Sequence, residues 1–254
     1  MSAIQKIILI TGAGSGIGAE ICAQLLAQQH TVWAVDKNTS ALAPLQQQYP
    51  NQLYCQDLDI RDAPAVQRFL TDLLAQKTID ALICAAGVLQ MGYGHTLSLA
   101  QWQDAFAVNT QGVFLFCQPV AAQMRSRQQG AIVIISSNAA TTPRINMGAY
   151  AASKAATTQF AKCLGLELAP LGIRVNIVSP GSTDTPMQQA MWQQGSSQQT
   201  VINGDAKNFR LGIPLQKIAT PKDIAQGVLF LLSDAAAHIT LHDLRIDGGA
   251  TLDS

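Results

Sequence analysis

Short apolar runs that alternate with longer segments of helical periodicity constrain this chain more than any other feature. The runs KIILIT (6–11), TVWAVD (31–36), LYCQDL (53–58), DALICAAG (80–87), AIVIIS (131–136), RVNIVSPG (174–181) and LRIDGG (244–249) have the length of strands. Several are apolar at consecutive positions, as strands covered on both faces must be. After the first run, Ile17, Ile21 and Leu25 recur every fourth position and make one face of a helix. The stretches 98–127 and 149–172 are long enough for helices as well. Alternation of this kind predicts the α/β class, as a doubly wound parallel seven-stranded sheet with helices on both faces. No linker, repeat or compositional break divides the chain, so residues 1–254 read as a single domain. One segment stands apart: 186–212 is rich in Gln, Ser and Asn. It is either a disordered insert or a flap over a site, since Met187 and Met191 share a helix face.

Composition narrows the classes of function. Hydrophobic residues make up 48% and charged residues 13%, with a formal net charge of zero. That supplies a sizeable core and argues against both a nucleic-acid footprint and an electrostatic membrane anchor. The five cysteines are scattered and never spaced CxxC, which reads as reduced core residues and not a disulfide frame or a zinc site. No run approaches the ~20 apolar residues of a spanning helix, and no charged region precedes an apolar stretch of signal length. The expectation is a soluble cytoplasmic protein whose sparse surface charge suits burial in a homo-oligomer. His238 and His242 lie four apart without a third ligand, so they read as structural and no metal is assigned.

The first run, ILITGAGSGIG, is a strand that ends in glycines and opens a helix. Gly12, Gly16 and Gly18, with Ser15 and Ile17 among them, form a turn through which backbone N–H groups can approach a pyrophosphate at the positive end of a helix. A strand-to-helix turn can need glycine for structural reasons alone. Here Asp36 ends the second strand 18 residues after Gly18, about where a carboxylate meets an adenosine ribose. Such a carboxylate accepts hydrogen bonds from ribose hydroxyls and repels a 2′-phosphate, so NAD is favoured over NADP; the adjacent Lys37 is a mild counter-signal. Asp59 and Ile60, after the third strand, are candidates for the adenine edge and face, or an ordinary polar loop.

Tyr150 and Lys154 lie four apart at the start of a helix and share a face. An ammonium near a phenol stabilises the phenolate and lowers its pKa from ~10, which would make a tyrosine a usable base. Most YxxxK pairs are solvated helix faces, and the wider pattern decides. TGAGSGIG, ICAAG (83–87), AVNTQG (107–112), IVIISS (132–137), YAASK (150–154) and SPGSTDTPM (179–187) occur in this order. Together they resemble the short-chain dehydrogenase/reductase family over nearly the whole chain. The resemblance implies a Rossmann-like NAD-binding catalytic domain. It makes Tyr150 the general base, Ser137 the hydroxyl that orients the substrate oxygen, and Lys154 the group that binds nicotinamide ribose and tunes Tyr150. It gives Asn109 a relay water, and it places Ala85, Gly87, Pro180, Gly181, Thr183 and Thr185 along the cofactor. Cys84 departs from the family, which more often has Asn there; the change loses some support for the strand and no catalytic group.

Within that family, TPRINMGAYAASKAA, NIVSPGSTDTPMQ, LGIPLQKIATP and DAAAHITLHDLRIDGGATL are similar to the 2,3-dihydro-2,3-dihydroxybenzoate dehydrogenases of catecholate siderophore biosynthesis. This implies a small carboxylate substrate, oxidation of a ring dihydrodiol by NAD⁺, and a dimer or tetramer through the closing segment. It also gives a reason for Arg144, the one charge between Ser137 and Tyr150, whose planar fork suits a carboxylate. Arg210 is the rival anchor. Leu89, Met91 and Met147 would wall the ring. Two readings compete with this one: an alcohol or sugar dehydrogenase or carbonyl reductase with another substrate, and a non-catalytic dinucleotide sensor.

Overall fold

The computed structural model describes residues 5–193 and 197–252. Its seven strands are β1 (Ile7–Thr11), β2 (Thr31–Asp36), β3 (Leu53–Asp57), β4 (Ala81–Cys84), β5 (Gly130–Ile135), β6 (Ile173–Pro180) and β7 (Asp243–Ile246). They form one parallel sheet in the order β3-β2-β1-β4-β5-β6-β7. The expected parallel seven-stranded sheet is therefore present, with each strand close to the run that predicted it. DALICAAG yields only four strand residues, because the chain leaves the ladder after Ala85 N–H donates to the Thr11 carbonyl (3.1 Å). LRIDGG ends at Ile246, where Gly248 and Gly249 take φ of +65° and +85° and turn the chain away.

The period of two along each strand divides the interior into two cores. Ile8, Ile10, Val32, Ala34, Ile83 and Val133 face one side with α1 (Gly16–Ala27), the short α2 (Ala43–Gln48) and α9 (Pro221–Leu232). Leu9, Val35, Leu82, Ile132 and Ile134 face the other with α3 (Ala63–Gln76), α5 (Val113–Arg127) and α6 (Gly148–Leu168). Alternate residues that are all apolar are what a sheet covered on both faces requires.

The predicted helix over 98–127 is not uniform. It starts as α4 (Leu99–Phe106) under a Ser98–Gln101 capping box, widens to a π turn over Ala107–Gly112, and resumes as α5. Of segment 186–212, residues 194–196 lie outside the described residues. The described remainder folds as α7 (Pro186–Gln193), α8 (Gln198–Asn203) and a clasped turn instead of a disordered insert. It packs on a small separate cluster of Val201, Ile213 and Ile218, against which Trp192 rests. His238 and His242 are both exposed on the connection into β7 and share no helix.

Candidate active site

The strand order reverses between β1 and β4, and a cavity of about 490 Å³ opens at the carboxyl ends of the strands there. Position and size both suit a ligand site. One end of the cavity is built from the turn after β1. Gly12 has φ +72°, and a Cβ on it would lie 2.3 Å from the Ala86 nitrogen; a Cβ on Gly18 would lie 1.9 Å from the Gly12 carbonyl. Glycine at these points lets the turn nest between β4 and α1. Gly16, φ +51°, faces Thr185 across the cavity, its notional Cβ 3.2 Å from Thr185 Cγ2. Ser15 is the N-cap residue of α1 but makes no side-chain capping bond, so the positive end of the helix opens toward the cavity.

Asp36 closes this end from β2. Its carboxylate accepts from the main-chain N–H of Gly14 (2.9 Å) and Asn38 (3.2 Å). Lys37 lies 4.0 Å from the Asp59 carboxylate, and Arg61 is clamped between Asp59 (2.6 Å) and Asp104 (2.7 Å). Both cations on this rim therefore already face carboxylates. A glycine turn, an uncapped helix start and a carboxylate at the end of β2 fit the pyrophosphate and ribose of a dinucleotide.

The middle of the cavity joins the end of β5 to the start of α6. Ser137 follows β5, and Tyr150 and Lys154 lie one turn apart on α6. Lys154 is only 4% exposed. Its Nζ donates to the Ile135 carbonyl (2.8 Å), and burial pushes its pKa down to about 8. Burial raises the Tyr150 phenol above its ordinary value, and a side-chain hydrogen bond with Ser137 opposes that shift. Gly87 keeps the floor open, since a Cβ there would lie 3.3 Å from Asn109 Oδ1 and 3.4 Å from Lys154 Nζ.

Among the residues singled out from sequence, Ser15, Ile17, Asp59, Ile60, Ala85, Leu89, Met147, Pro180, Gly181 and Thr183 also line the cavity. Two do not. Asn109 is fully buried behind the wall. Its amide accepts from Val88 N–H (2.8 Å) and donates to the Val88 carbonyl (2.9 Å) and Ser153 Oγ (3.0 Å), so its side chain braces the strand exit. The π turn is what brings it there, a common use of such bulges. Met91 sits beyond the lining, on the extended segment whose next residue, Gly92, bridges to Met147. Cys84 faces Cys117, Sγ to Sγ 3.9 Å, a packing contact in place of the Asn support.

At the far end Arg144 and Arg210 reach one cavity from different segments, and both also line a smaller recess beside it. Neither has a carboxylate within ion-pair distance among the described residues. Burial lowers the pKa of Arg144, the nearby Arg210 lowers it further, and Asp247 works in the opposite sense. Arg210 is held by a clasp: Asp205 and Arg210 exchange both main-chain hydrogen bonds (2.9 Å each). Gly204 and Gly212, both at φ +88°, sit too close to opposing backbone for any side chain. Sequence reasoning missed Asp247, which accepts from Asn138 Nδ2 (3.1 Å), Thr251 Oγ1 (2.7 Å) and Gly249 N–H (2.9 Å). It also missed the cavity-lining Gln188. Both are polar residues in unremarkable local sequence, and no spacing marks them.

Residues 6–196 match the family model described as short chain dehydrogenase. The chain is 49% identical to the vibriobactin-specific 2,3-dihydro-2,3-dihydroxybenzoate dehydrogenase of Vibrio cholerae, over 100% of this chain and 98% of that protein. It is 45% identical to the 2,3-dihydro-2,3-dihydroxybenzoate dehydrogenase of Bacillus subtilis, over 97% and 96%. The solved structure of ElxO with NADP bound superposes with a TM-score of 0.88 at 25% identity, over 98% of this chain and 100% of that one.

Proposed function

The chain belongs to the short-chain dehydrogenase family, and from that premise we propose that it oxidises 2,3-dihydro-2,3-dihydroxybenzoate to 2,3-dihydroxybenzoate with NAD⁺, in catecholate siderophore biosynthesis. The observation that carries this reading is one cavity holding the Ser137–Tyr150–Lys154 cluster at its centre and, at one end, two cations, Arg144 and Arg210, with no carboxylate at ion-pair distance among the described residues. A hydroxy acid places its carbinol on the first and its carboxylate on the second; a neutral alcohol leaves both guanidinium groups without a ligand. The full-length likeness to two dehydrogenases named for this substrate supports the same choice.

The dinucleotide, when bound, supplies the hydride acceptor. Burial alone holds the Tyr150 phenol protonated; with the positive charge of bound NAD⁺ added to that of Lys154 to offset it, Tyr150 as phenolate takes the proton of the ring hydroxyl. Ser137 hydrogen-bonds the same oxygen and fixes its position as charge moves through it. Lys154 holds the phenolate by its charge and binds the nicotinamide ribose. Asn109 acts by holding Val88 and the strand exit in place. Arg144 and Arg210 share the carboxylate, with Leu89, Met147, Met187 and Met191 around the ring and α7 lying over it. The ketodiene formed loses a ring proton and becomes a catechol, so aromatisation drives the reaction forward.

NAD⁺ is the proposed cofactor because Asp36 faces the ribose position and the nearby Lys37 and Arg61 are engaged by carboxylates. A homo-oligomer, dimer or tetramer, is proposed from the partly exposed edge strand β7 and from Leu99, Trp102, Phe114 and Leu166, which stand 42–70% exposed. All five cysteines are free thiols, which suits the reducing cytoplasm. Mixing the protein with NAD⁺ and the dihydrodiol acid should generate NADH absorbance, and kcat/KM with NADP⁺ should be far lower. No NADH with the dihydrodiol acid refutes the substrate; equal rates with the two cofactors refute the role of Asp36.

A further inference from the structure

Gln188 lies in the first turn of α7 and lines the main cavity with Tyr150, Arg144 and Met187. It is 9% exposed. Its main-chain N–H donates to Thr185 Oγ1 (3.3 Å), which fixes the turn. Its side-chain Nε2 is closed off from solvent and has no hydrogen-bond partner among the described residues. A buried donor left unmet carries a desolvation penalty that a ligand acceptor relieves. Several other polar groups around the cavity are occupied. Asn138 Nδ2 is on Asp247, Arg61 on Asp59 and Asp104, and Thr185 Oγ1 on the Thr183 carbonyl.

Two arginines already address the carboxylate, which leaves the amide donor for a second acceptor on the ligand. A vicinal diol offers one. Tyr150 and Ser137 engage the hydroxyl that is oxidised, and the adjacent ring carbon carries a second hydroxyl that neither touches. We infer that Gln188 donates from Nε2 to this second, non-reacting hydroxyl and makes the enzyme selective for diols over mono-ols; the inference rests on the dihydrodiol reading above. The terminal torsion of glutamine is broad, so the donor turns toward the ligand at little cost. Sites built to hydrogen-bond a substrate hydroxyl discriminate against analogues that lack it, because the protein group is then left unpaired.

The test uses the full chain with NAD⁺ and saturated acids that keep the carboxylate: 2,3-dihydroxycyclohexane-1-carboxylate against its 2-hydroxy and 3-hydroxy counterparts. The parent should prefer the diol in kcat/KM by roughly tenfold or more. Gln188→Met keeps the length and removes the donor. It should erase the preference through a loss confined to the diol, with NAD⁺ affinity unchanged by calorimetry. The melting temperature of the free protein should be unchanged or higher, since an unmet donor has been removed. Gln188→Asn, which keeps an amide one methylene short, should retain part of the preference. An equal loss on diol and mono-ols overturns the assignment in favour of a carboxylate or structural role, and weakened NAD⁺ binding overturns it in favour of a cofactor contact. A diol preference that survives Gln188→Met overturns it while leaving the proposed function standing. A parent that oxidises neither the dihydrodiol nor these acids overturns both.

Discussion

Lys154 shows how one residue can serve the proposed chemistry at the expense of the fold. Its ammonium is buried and its pKa is brought down to about 8, against ~10.4 in an unfolded chain. Between those values the unfolded state binds more protons, so stability rises with pH across that window. Below about pH 8 the burial cost is present in full. Lys154→Met should therefore melt higher than the parent at pH 7 while losing turnover. Its advantage should shrink as pH is raised from 8 toward 10, which calorimetry at several pH values will read; an advantage that grows with pH contradicts the assignment. Tyr150→Phe keeps the ring and deletes the proton acceptor. Turnover should fall by ~10²–10⁴-fold with NAD⁺ binding intact, and near-normal turnover would place the base elsewhere. Arg144→Gln and Arg210→Gln should each remove a charge-assisted hydrogen bond of roughly 1.5–3 kcal/mol, about a tenfold to hundredfold loss in kcat/KM. If one carboxylate bridges both groups, the double variant loses less than the product of the singles. Strict multiplicativity in that cycle would assign them separate partners.

At the level of elements, the strands were legible because a strand covered on both faces must be apolar at successive positions; β4 and β5 carry no polar side chain to blur the pattern, and β1 only its last residue, Thr11. Helix α1 was legible from its Ile17–Ile21–Leu25 face. The π turn was not, since a widened turn has no period of its own; Asn109 reveals it only once Val88 is known to lie beside it. The same limit explains the site. Ser137, Tyr150, Lys154 and the glycines sit in local patterns that sequence carries, and Arg210 could be named only as a rival to Arg144, whereas Gln188 and Asp247 converge on it from remote segments that no pattern marks. The two glycine-bearing helix starts give a matched prediction. A Cβ on Gly18 would meet the Gly12 carbonyl at 1.9 Å, whereas one on Gly148, at the start of α6, meets nothing within 4 Å. Gly18→Ala should cost at least about 3 kcal/mol, the upper end for overpacking. Gly148→Ala should gain about 0.4–1 kcal/mol by restricting the unfolded chain. Urea midpoints measure both, and similar midpoints for the two would contradict the packing described at the phosphate turn.

Across the whole molecule, the cavity is assembled from both ends of the chain: Gly12 near one terminus, Arg210 and the Asp247–Asn138 bond near the other. A ligand that spans it should tie the molecule together as a unit. NAD⁺ at a hundred times its Kd should stabilise the fold by about 2.7 kcal/mol, a rise of about 5–10 °C in Tm for a chain of this size. Sedimentation should show a dimer or tetramer, and a monomer at micromolar concentration would leave Leu99, Trp102, Phe114 and Leu166 without a role. The parallel order has a consequence in time as well as in space. Ile8 of β1 pairs with Ala81 of β4, so one edge of this interior strand waits on the ribosome for more than seventy residues to be made. At about 5–20 residues per second that is about 4–15 s, during which a strand apolar in all but its last residue offers its free edge to any other chain nearby. Production of this protein in a cell should thus respond more to translation speed and chaperone supply than its finished stability would suggest.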